Sequence, residues 1–385
     1  MCLAVKGCYA CAWNYFPFVQ RIIFSLTGLE GLLALSGITG EHMDRLNLLD
    51  VQKRIVGMDS TSNDVAEILA KTMPLLQDGI WQETNKTDSR TTLQRAKLPD
   101  AHRRRANEGT EISKSAIIKN EEATTTFEAY AENDVRVIDS FGAGKWEARA
   151  TESVAFMEAV GQAMCKDFYY GNQDTDPDGI YGLANRYDSL TVGNERRQII
   201  NAGGTGADNA SVWLIKWDPS KVSFIYPKHA MNEGQGIVEH EDLGAGVTDV
   251  GTGGVRKLLK VYRDRFAISG GWCLKNYMSV ARVANIDVSD FKTQSMQRNP
   301  ADSANPQSKL RYYMAQLMYR MAKGGGNMRF YMNRTVAQYL DLEQMSAVNA
   351  GGMTYMDVQG EMVPSFRGVP IRIDDTLVNS EAQVS

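Results

Sequence analysis

An excess of basic charge is missing from this sequence. Its 385 residues carry 42 lysines and arginines against 46 aspartates and glutamates, a net charge of -4. That balance excludes a nucleic-acid binder working by bulk basicity. Cysteine is scarce: five in the chain cannot form a disulfide framework, so the composition points to folding in a reducing cytoplasm. Ten prolines beside 34 scattered glycines exclude a collagen-like or low-complexity chain. A long hydrophobic run is lacking too. The stretch Ile22 to Gly37 has 16 residues and contains Glu30, short of the roughly 20 apolar residues a spanning helix needs. What is there is globular in composition, 43% apolar and 23% charged. The length suits two medium domains or one elaborated domain with arms.

Residues 1–42 are far more apolar than the rest. A secretory signal places its small-residue cleavage site after the apolar run, whereas Ala10 and Ala12 come before it. Cys8 and Cys11 form a C-x-x-C without a second pair or paired histidines, so zinc and redox sites find little support. Ordinary amphipathic composition begins at Met43; either Met43 is the biological start or 1–42 is a separable extension, and in both cases 1–42 is expected to be dispensable for assembly.

Catalytic signatures are absent. No G-x-x-x-x-G-K-[ST], no G-x-G-x-x-G opening a helix after a strand and no G-x-S-x-G elbow occurs. The four histidines show no H-x-x-x-H spacing, and His240 between Glu239 and Glu241 reads as a solvated loop residue. Asp174, Asp176, Asp178 and Gly179 spell D-x-D-x-D-G, the opening of a calcium loop. The twelfth position is Asn185 rather than glutamate, and Pro177 interrupts. Two readings stay open, a cation site and an acidic loop tip; no catalytic or cofactor-binding residue is assigned, and no cofactor is expected.

Residues 64–80 carry Val65, Ile68, Leu69 and Leu75 at helical spacing, with Pro74 kinking or ending the helix. Residues 81–119 are polar and hold nine basic against five acidic residues. That is +4, leaving -8 on the rest of the chain. Such a segment buries no core of its own, and it returns as an extended strand near Thr124–Thr126. It reads either as a solvated loop or as an arm that meets an acidic surface on a neighbouring subunit, through Arg90, Arg95, Arg103, Arg104 and Arg105. A helix is predicted over 151–170, capped by Thr151, with Phe156, Val160, Ala163 and Met164 on one face. A second, 309–322, aligns Leu310, Tyr313, Met314, Leu317, Met318 and Met321. Strands are predicted at Val212–Trp217, Val222–Tyr226, Leu258–Phe266, Val280–Ile286, Met328–Met332 and Val369–Ile373. The elements follow no βαβ rhythm, which makes the fold α+β. Two β-compatible runs, 255–268 and 272–286, flank Ser269-Gly270-Gly271 and read as a hairpin.

Several segments carry a family likeness: FRGVPIRIDDTL (366–377), FYMNRTVAQYL (330–340) with Asn333 as helix cap, YYGNQ followed by GIYGLANRYDSL (169–190), and INAGGTGADNASVWLIKW (200–217). In order and spacing they resemble the major capsid proteins of tailed bacteriophages, in the podovirus-type branch of the Hong Kong 97-type capsid fold. The resemblance runs from Met43 to the C-terminus. It implies a structural, non-enzymatic virion protein that self-assembles as hexamers and pentamers into an icosahedral shell around double-stranded DNA. A cellular encapsulating shell of the same fold is the alternative. The implied division is an N-terminal arm (43–80), an extended loop (81–133), a peripheral domain with a spine helix (134–172, helix 151–170) and an axial domain (173–254 and 287–385). Segment 255–286 would be a peripheral-domain hairpin in permuted order, packed beside the spine helix, with the C-terminal strand returning to the axial domain. The implied partners are further copies of the chain, portal, scaffolding and decoration proteins, and packaged DNA contacted non-specifically, with no membrane. Assembly would take place in the cytoplasm of the bacterial host.

Overall fold

The computed structural model describes residues 73–140, 142, 145–228, 238–251, 256–289, 309–346, 353–358 and 361–385. Residues 1–72, with Cys8, Cys11, Val65, Ile68 and Leu69, lie outside the described residues.

A short helix α1 (Pro74–Asp78) opens the described chain. Pro74 sits at its first turn, where its missing N–H has no partner to lose; the part of the predicted 64–80 helix before Met73 lies outside the described residues. Strands β1 (Trp81–Glu83), β2 (Ser89–Lys97), β3 (Ala116–Ala123) and β4 (Thr125–Asp134) follow. Helix α2 (Val135–Asp139) is capped by the Asp134 carboxylate, which accepts from the Arg136 N–H. The long helix α3 spans Lys145–Tyr170. Thr151 therefore lies inside it, and the predicted cap is nearly two turns too late. Helix α4 (Leu183–Arg186) leads to strands β5 (Ile199–Asn201), β6 (Asn209–Trp217), β7 (Val222–Tyr226), β8 (Val238–Asp249), β9 (Leu258–Leu274) and β10 (Val280–Asp287). The chain closes with α5 (Lys309–Arg320), β11 (Asn327–Met332), α6 (Arg334–Ser346), β12 (Met353–Val358), β13 (Glu361–Phe366) and β14 (Val369–Ile373). Asn333 caps α6 by accepting from the Thr335 N–H at 2.8 Å.

Strand β6 shows why the sheet sits where it does. Its nine residues are all buried, and successive side chains point to opposite faces. Trp213, Ile215 and Trp217 enter one core with α3, while Ala210, Val212 and Leu214 enter a second core with α5 and α6. On the second side Leu310, Met314 and Leu317 are buried along α5, with Met321 just past its end, as the helical spacing predicts. On the first side α3 buries Val160, Met164, Cys165, Phe168 and Tyr169. Ala163, assigned to that face from sequence, is exposed; the buried stripe is set by the C-terminal half of the helix, where the aromatics lie. Phe168 packs its ring against Trp272, Phe224 and Trp217 with centroids 5.2, 5.4 and 6.2 Å away. Burying a side chain of this size stabilises the fold by about 1.5–3 kcal/mol.

The expected 255–286 hairpin is not formed. Strand β9 runs unbroken through Ser269-Gly270-Gly271, and β10 pairs with β5 and β6 rather than with β9. The glycines serve closeness instead of turning: a Cβ at Gly271 would come within 2.5 Å of the Ala123 carbonyl oxygen. The first part of β9 pairs with β4 on one side and β8 on the other, and this three-stranded sheet packs against α3, with Phe156 and Phe266 stacked at 5.7 Å. The last part pairs with β7 and joins the sheet that holds β6. Strand β14 pairs parallel with β11 in that sheet. So 258–268 lies beside the long helix, Trp272 still packs on its Phe168, and β10 runs with β5 and β6 instead of returning along β9.

The acidic loop is a turn after α3, in which Asn172 Oδ1 accepts from the Asp174 N–H at 2.9 Å. Among the described residues no group of three or more acidic, histidine or cysteine side chains converges as a metal site. His240 lies on β8 rather than in a loop. Its ring stacks on Phe266 at 4.7 Å, and Nε2 stands 3.3 Å from Asp264 Oδ1.

Candidate functional site

Strands β2 and β3 form an antiparallel ribbon of their own, pairing with each other from Ser89↔Ala123 to Lys97↔Ala116. An isolated two-stranded hairpin is at best marginally stable in water, so its anchorage decides whether it stands. At the base, the Thr124 N–H and hydroxyl both donate to the Asp88 carbonyl at 2.8 Å. Asn85 clasps Thr91, accepting from its N–H and donating to its carbonyl, each at 2.8 Å. Gln94 donates to the Leu274 carbonyl at 2.9 Å. The Glu122 carboxylate is tied to the Arg186 guanidinium, which lies 4.6 Å over the Trp272 ring. The Glu121 carboxylate accepts from Lys86 and from Ser89, and these contacts hold its pKa down to about 2.

Beyond the base the ribbon is uncovered. Leu93, Leu98, Ile112, Ile117 and Ile118 are all exposed, Leu93 to 71% and Ile112 fully. The five arginines expected to act together are spread along it. Arg90 is half-buried at the base and donates to the Glu83 carbonyl at 2.7 Å. Arg95 is exposed on β2, and Arg103, Arg104 and Arg105 are exposed at the tip. The seven steps from Arg90 to Lys97 alone span about 24 Å of strand. Base and tip are therefore separate sites. Arg104 is braced by the Glu108 carbonyl at 3.1 Å. The exposed apolar residues were missed in the sequence. The adjacent pair Ile117–Ile118 was the available signal, because neighbours on a strand face opposite sides and a two-stranded ribbon has no core for both.

Elsewhere the chemistry is structural. Arg282 and Glu381 form a buried ion pair at 2.8 Å, with Arg282 also donating to Ser211 Oγ at 2.9 Å and to the Tyr187 carbonyl at 2.7 Å. Asp78 pairs with Arg372 at 3.0 Å and accepts from the Tyr331 hydroxyl at 3.0 Å, binding α1 to the sheet. Arg149 is held between Asp264 at 2.8 Å and Asp242 at 3.0 Å. Both described cysteines are buried. Desolvation raises Cys165 strongly and Cys273 to about 11, so neither thiol is a ready nucleophile.

A family model described as major capsid protein GP7 matches residues 57–385. No curated protein matches the chain. Among solved structures, bacteriophage Epsilon15 matches with a TM-score of 0.66 and 24% identity, over 91% of this chain and 99% of the other. The bacteriophage JBD30 capsid matches with a TM-score of 0.44 and 10% identity, over 83% and 96%. The SrpI encapsulin complex of Synechococcus elongatus PCC 7942 matches with a TM-score of 0.42 and 9% identity, over 63% and 97%. The first of these carries the fold argument, and it supports the Hong Kong 97-type expectation. With the matched region spanning far more than half of the sequence, the chain belongs to the major capsid protein GP7 family, whose members are structural proteins of the bacteriophage capsid.

Proposed function

We propose that this capsid subunit closes into hexamers and pentamers through the β2–β3 ribbon, which lies across the neighbouring copy. The observation that carries the reading is the uncovered ribbon itself, with Leu93, Leu98, Ile112, Ile117 and Ile118 exposed on a hairpin with no core beneath it. A surface of that kind gains its apolar burial only from another molecule. The basic tip meets an acidic neighbour, and electrostatic complementarity sets register and encounter rate more than affinity. Head-to-tail contacts of this type close into rings.

In this reading the ribbon is the extended loop, α3 is the spine helix of a peripheral domain that also holds β4, β8 and β9, and the sheet around β6 with α5 and α6 is the axial domain. Strand β4, placed within the extended loop from the sequence, belongs to the peripheral part. The shell encloses double-stranded DNA without reading its sequence, and its role is mechanical rather than enzymatic. Portal, scaffolding and decoration proteins are its further partners, with assembly in the cytoplasm of the bacterial host.

Negative-stain microscopy of the expressed protein, beside a variant in which 98–115 is replaced by a short turn, tests the reading. Shells, tubes or rings are expected from the intact chain and folded, unassembled subunits from the variant. A variant that assembles like the intact chain removes the ribbon from the proposal.

A further inference from the structure

A groove of about 530 Å³ opens at the foot of the ribbon, lined by Asn85, Arg90, Thr91, Thr92, Pro219 and Lys275 among others. Thr92 is only 8% exposed, and its hydroxyl, like that of Thr91, is buried without a hydrogen-bond partner. Native proteins satisfy nearly all buried polar groups, and Thr92 shares a face of β2 with Arg90 while Thr91 points the other way, so Thr92 carries the unmet hydroxyl on that side. A staggered rotation about χ1 exchanges hydroxyl and methyl and turns the donor toward the groove.

Two cations face the same space. Arg90 spends one N–H on the Glu83 carbonyl at 2.7 Å and keeps the rest of its fork. Lys275 reaches Gln82 Oε1 at 3.1 Å and the Pro219 carbonyl. Neither has an ion-pair partner among the described residues. Burial, and then the charge of Arg90, pull the Lys275 pKa below the ordinary lysine value, as expected of two positive groups without a counter-ion. Asp218 acts the other way, but its carboxylate is engaged by the Ser220 N–H at 2.7 Å, by the Ser220 hydroxyl, and by Lys221 at 3.9 Å. A planar, acceptor-only group with two oxygens fits this set of donors, and that describes a carboxylate.

The chain carries such groups in a form ready to be presented. Asp174, Asp176 and Asp178 project from the turn after α3; all three are exposed, and none forms an ion pair among the described residues. The other exposed acids of β8 and the ribbon are largely spoken for: Asp242 by Arg149, Asp249 by Arg256, Glu121 by Lys86. The turn lines a hollow of its own. Pro219 and Ser220 precede β7, whereas Pro177 and Asp178 share a hollow with Pro227, which follows it. A donor groove and an acidic turn on separate patches of one subunit are the two halves of a head-to-tail contact.

We propose that the groove at the foot of the ribbon takes carboxylates of the 174–178 turn of a second copy of this chain, a contact that repeats around each ring of subunits. It rests on the shell-forming reading above and adds a named pair of surfaces to it.

Charge reversal with reciprocal rescue tests it. Arg90→Glu and Asp176→Arg are each expected to lower the yield of shells or rings roughly tenfold, with the thermal melt of the unassembled subunit unchanged. The double variant R90E/D176R is expected to recover assembly to within about threefold of the starting protein. The nearly isosteric Thr92→Val removes only the orphan hydroxyl, so it is expected to weaken assembly while leaving the subunit folded. A cysteine pair, L93C/D176C, is expected to give a reducible ladder of linked subunits in assembled particles. The proposal is overturned if the double variant assembles no better than the worse single and no ladder forms. If the starting protein forms no shells, tubes or rings at all, the shell-forming reading itself falls, which is a separate and distinguishable result.

Discussion

Removing the Glu381 carboxylate is expected to be among the costliest single changes in this subunit. Glu381 Oε2 accepts from Arg282 Nη2 at 2.8 Å and from the Ser211 hydroxyl, and Oε1 accepts from the Tyr170 hydroxyl at 2.7 Å. Both side chains of the ion pair are at most 4% exposed. Glu381→Ala strands the Arg282 guanidinium inside the fold with one arm unmatched and leaves Tyr170 and Ser211 without an acceptor. Breaking a buried pair from one side costs about 3–5 kcal/mol, a large share of the 5–15 kcal/mol that typically separates folded from unfolded chains. Replacing both partners by apolar residues removes the stranded charge. Arg282→Met with Glu381→Leu is therefore expected to cost less than Glu381→Ala alone, with a coupling above about 1.5 kcal/mol. Urea titration of the unassembled subunit, followed by tryptophan fluorescence, measures this directly, since Trp213, Trp217 and Trp272 are all buried. An unchanged slope with a lowered midpoint reports lost stability. A Glu381→Ala variant within about 1 kcal/mol of the starting protein, or strictly additive single and double variants, would refute the reasoning.

Phe168→Ala empties the middle of an aromatic cluster formed with Trp217, Phe224 and Trp272, and about 3–5 kcal/mol of stability should disappear in the same urea assay. Asp374 is fully buried, and desolvation raises its pKa although Thr376 and Tyr169 donate to it. A carboxyl raised in the folded state binds its proton more tightly there than in the unfolded chain, so its contribution is present below the ordinary aspartate value of about 4 and is lost as pH rises through the raised value. Stability measured across that window should fall for the starting protein and stay flatter for Asp374→Asn; equal slopes would remove Asp374 as the cause. Reversing Arg103, Arg104 and Arg105 to glutamate at the exposed tip should leave the melt unchanged and block shell assembly. Added salt should weaken assembly of the starting protein as well, and particle yield by sedimentation reads both effects.

Strands β7 and β14 were legible residue for residue, because short runs such as Val222–Tyr226 and Val369–Ile373 are rich in β-branched and aromatic side chains and end at clear breakers. The buried stripe of α5 was legible for the same local reason, as spacing alone puts Leu310, Met314, Leu317 and Met321 on one face. The family likeness also drew on order along the chain, which no tertiary contact alters. The polar, basic character of 81–119 marked the ribbon, and the adjacent Ile117–Ile118 hinted at its exposed apolar residues, but only the pairing of β2 with β3 alone left them uncovered.

Other features depended on residues far apart in the chain. Ser269-Gly270-Gly271 carries a turn signal, yet β9 passes straight through it, since β4, β8 and β7 supply hydrogen-bond partners along its length and Gly271 must let Ala123 approach. Composition along 145–150 did not reveal the six extra residues of α3. The pairing of Arg282 with Glu381 joins residues 99 positions apart, and the groove at the foot of the ribbon draws Thr92, Pro219 and Lys275 from three separate segments. Local propensity and periodicity are written in near neighbours, so the sequence alone determined which short elements form and which of their faces are apolar. Which strands pair, which charges meet in the interior and which donors are left facing an empty groove are set by long-range packing, and only the tertiary structure decided them.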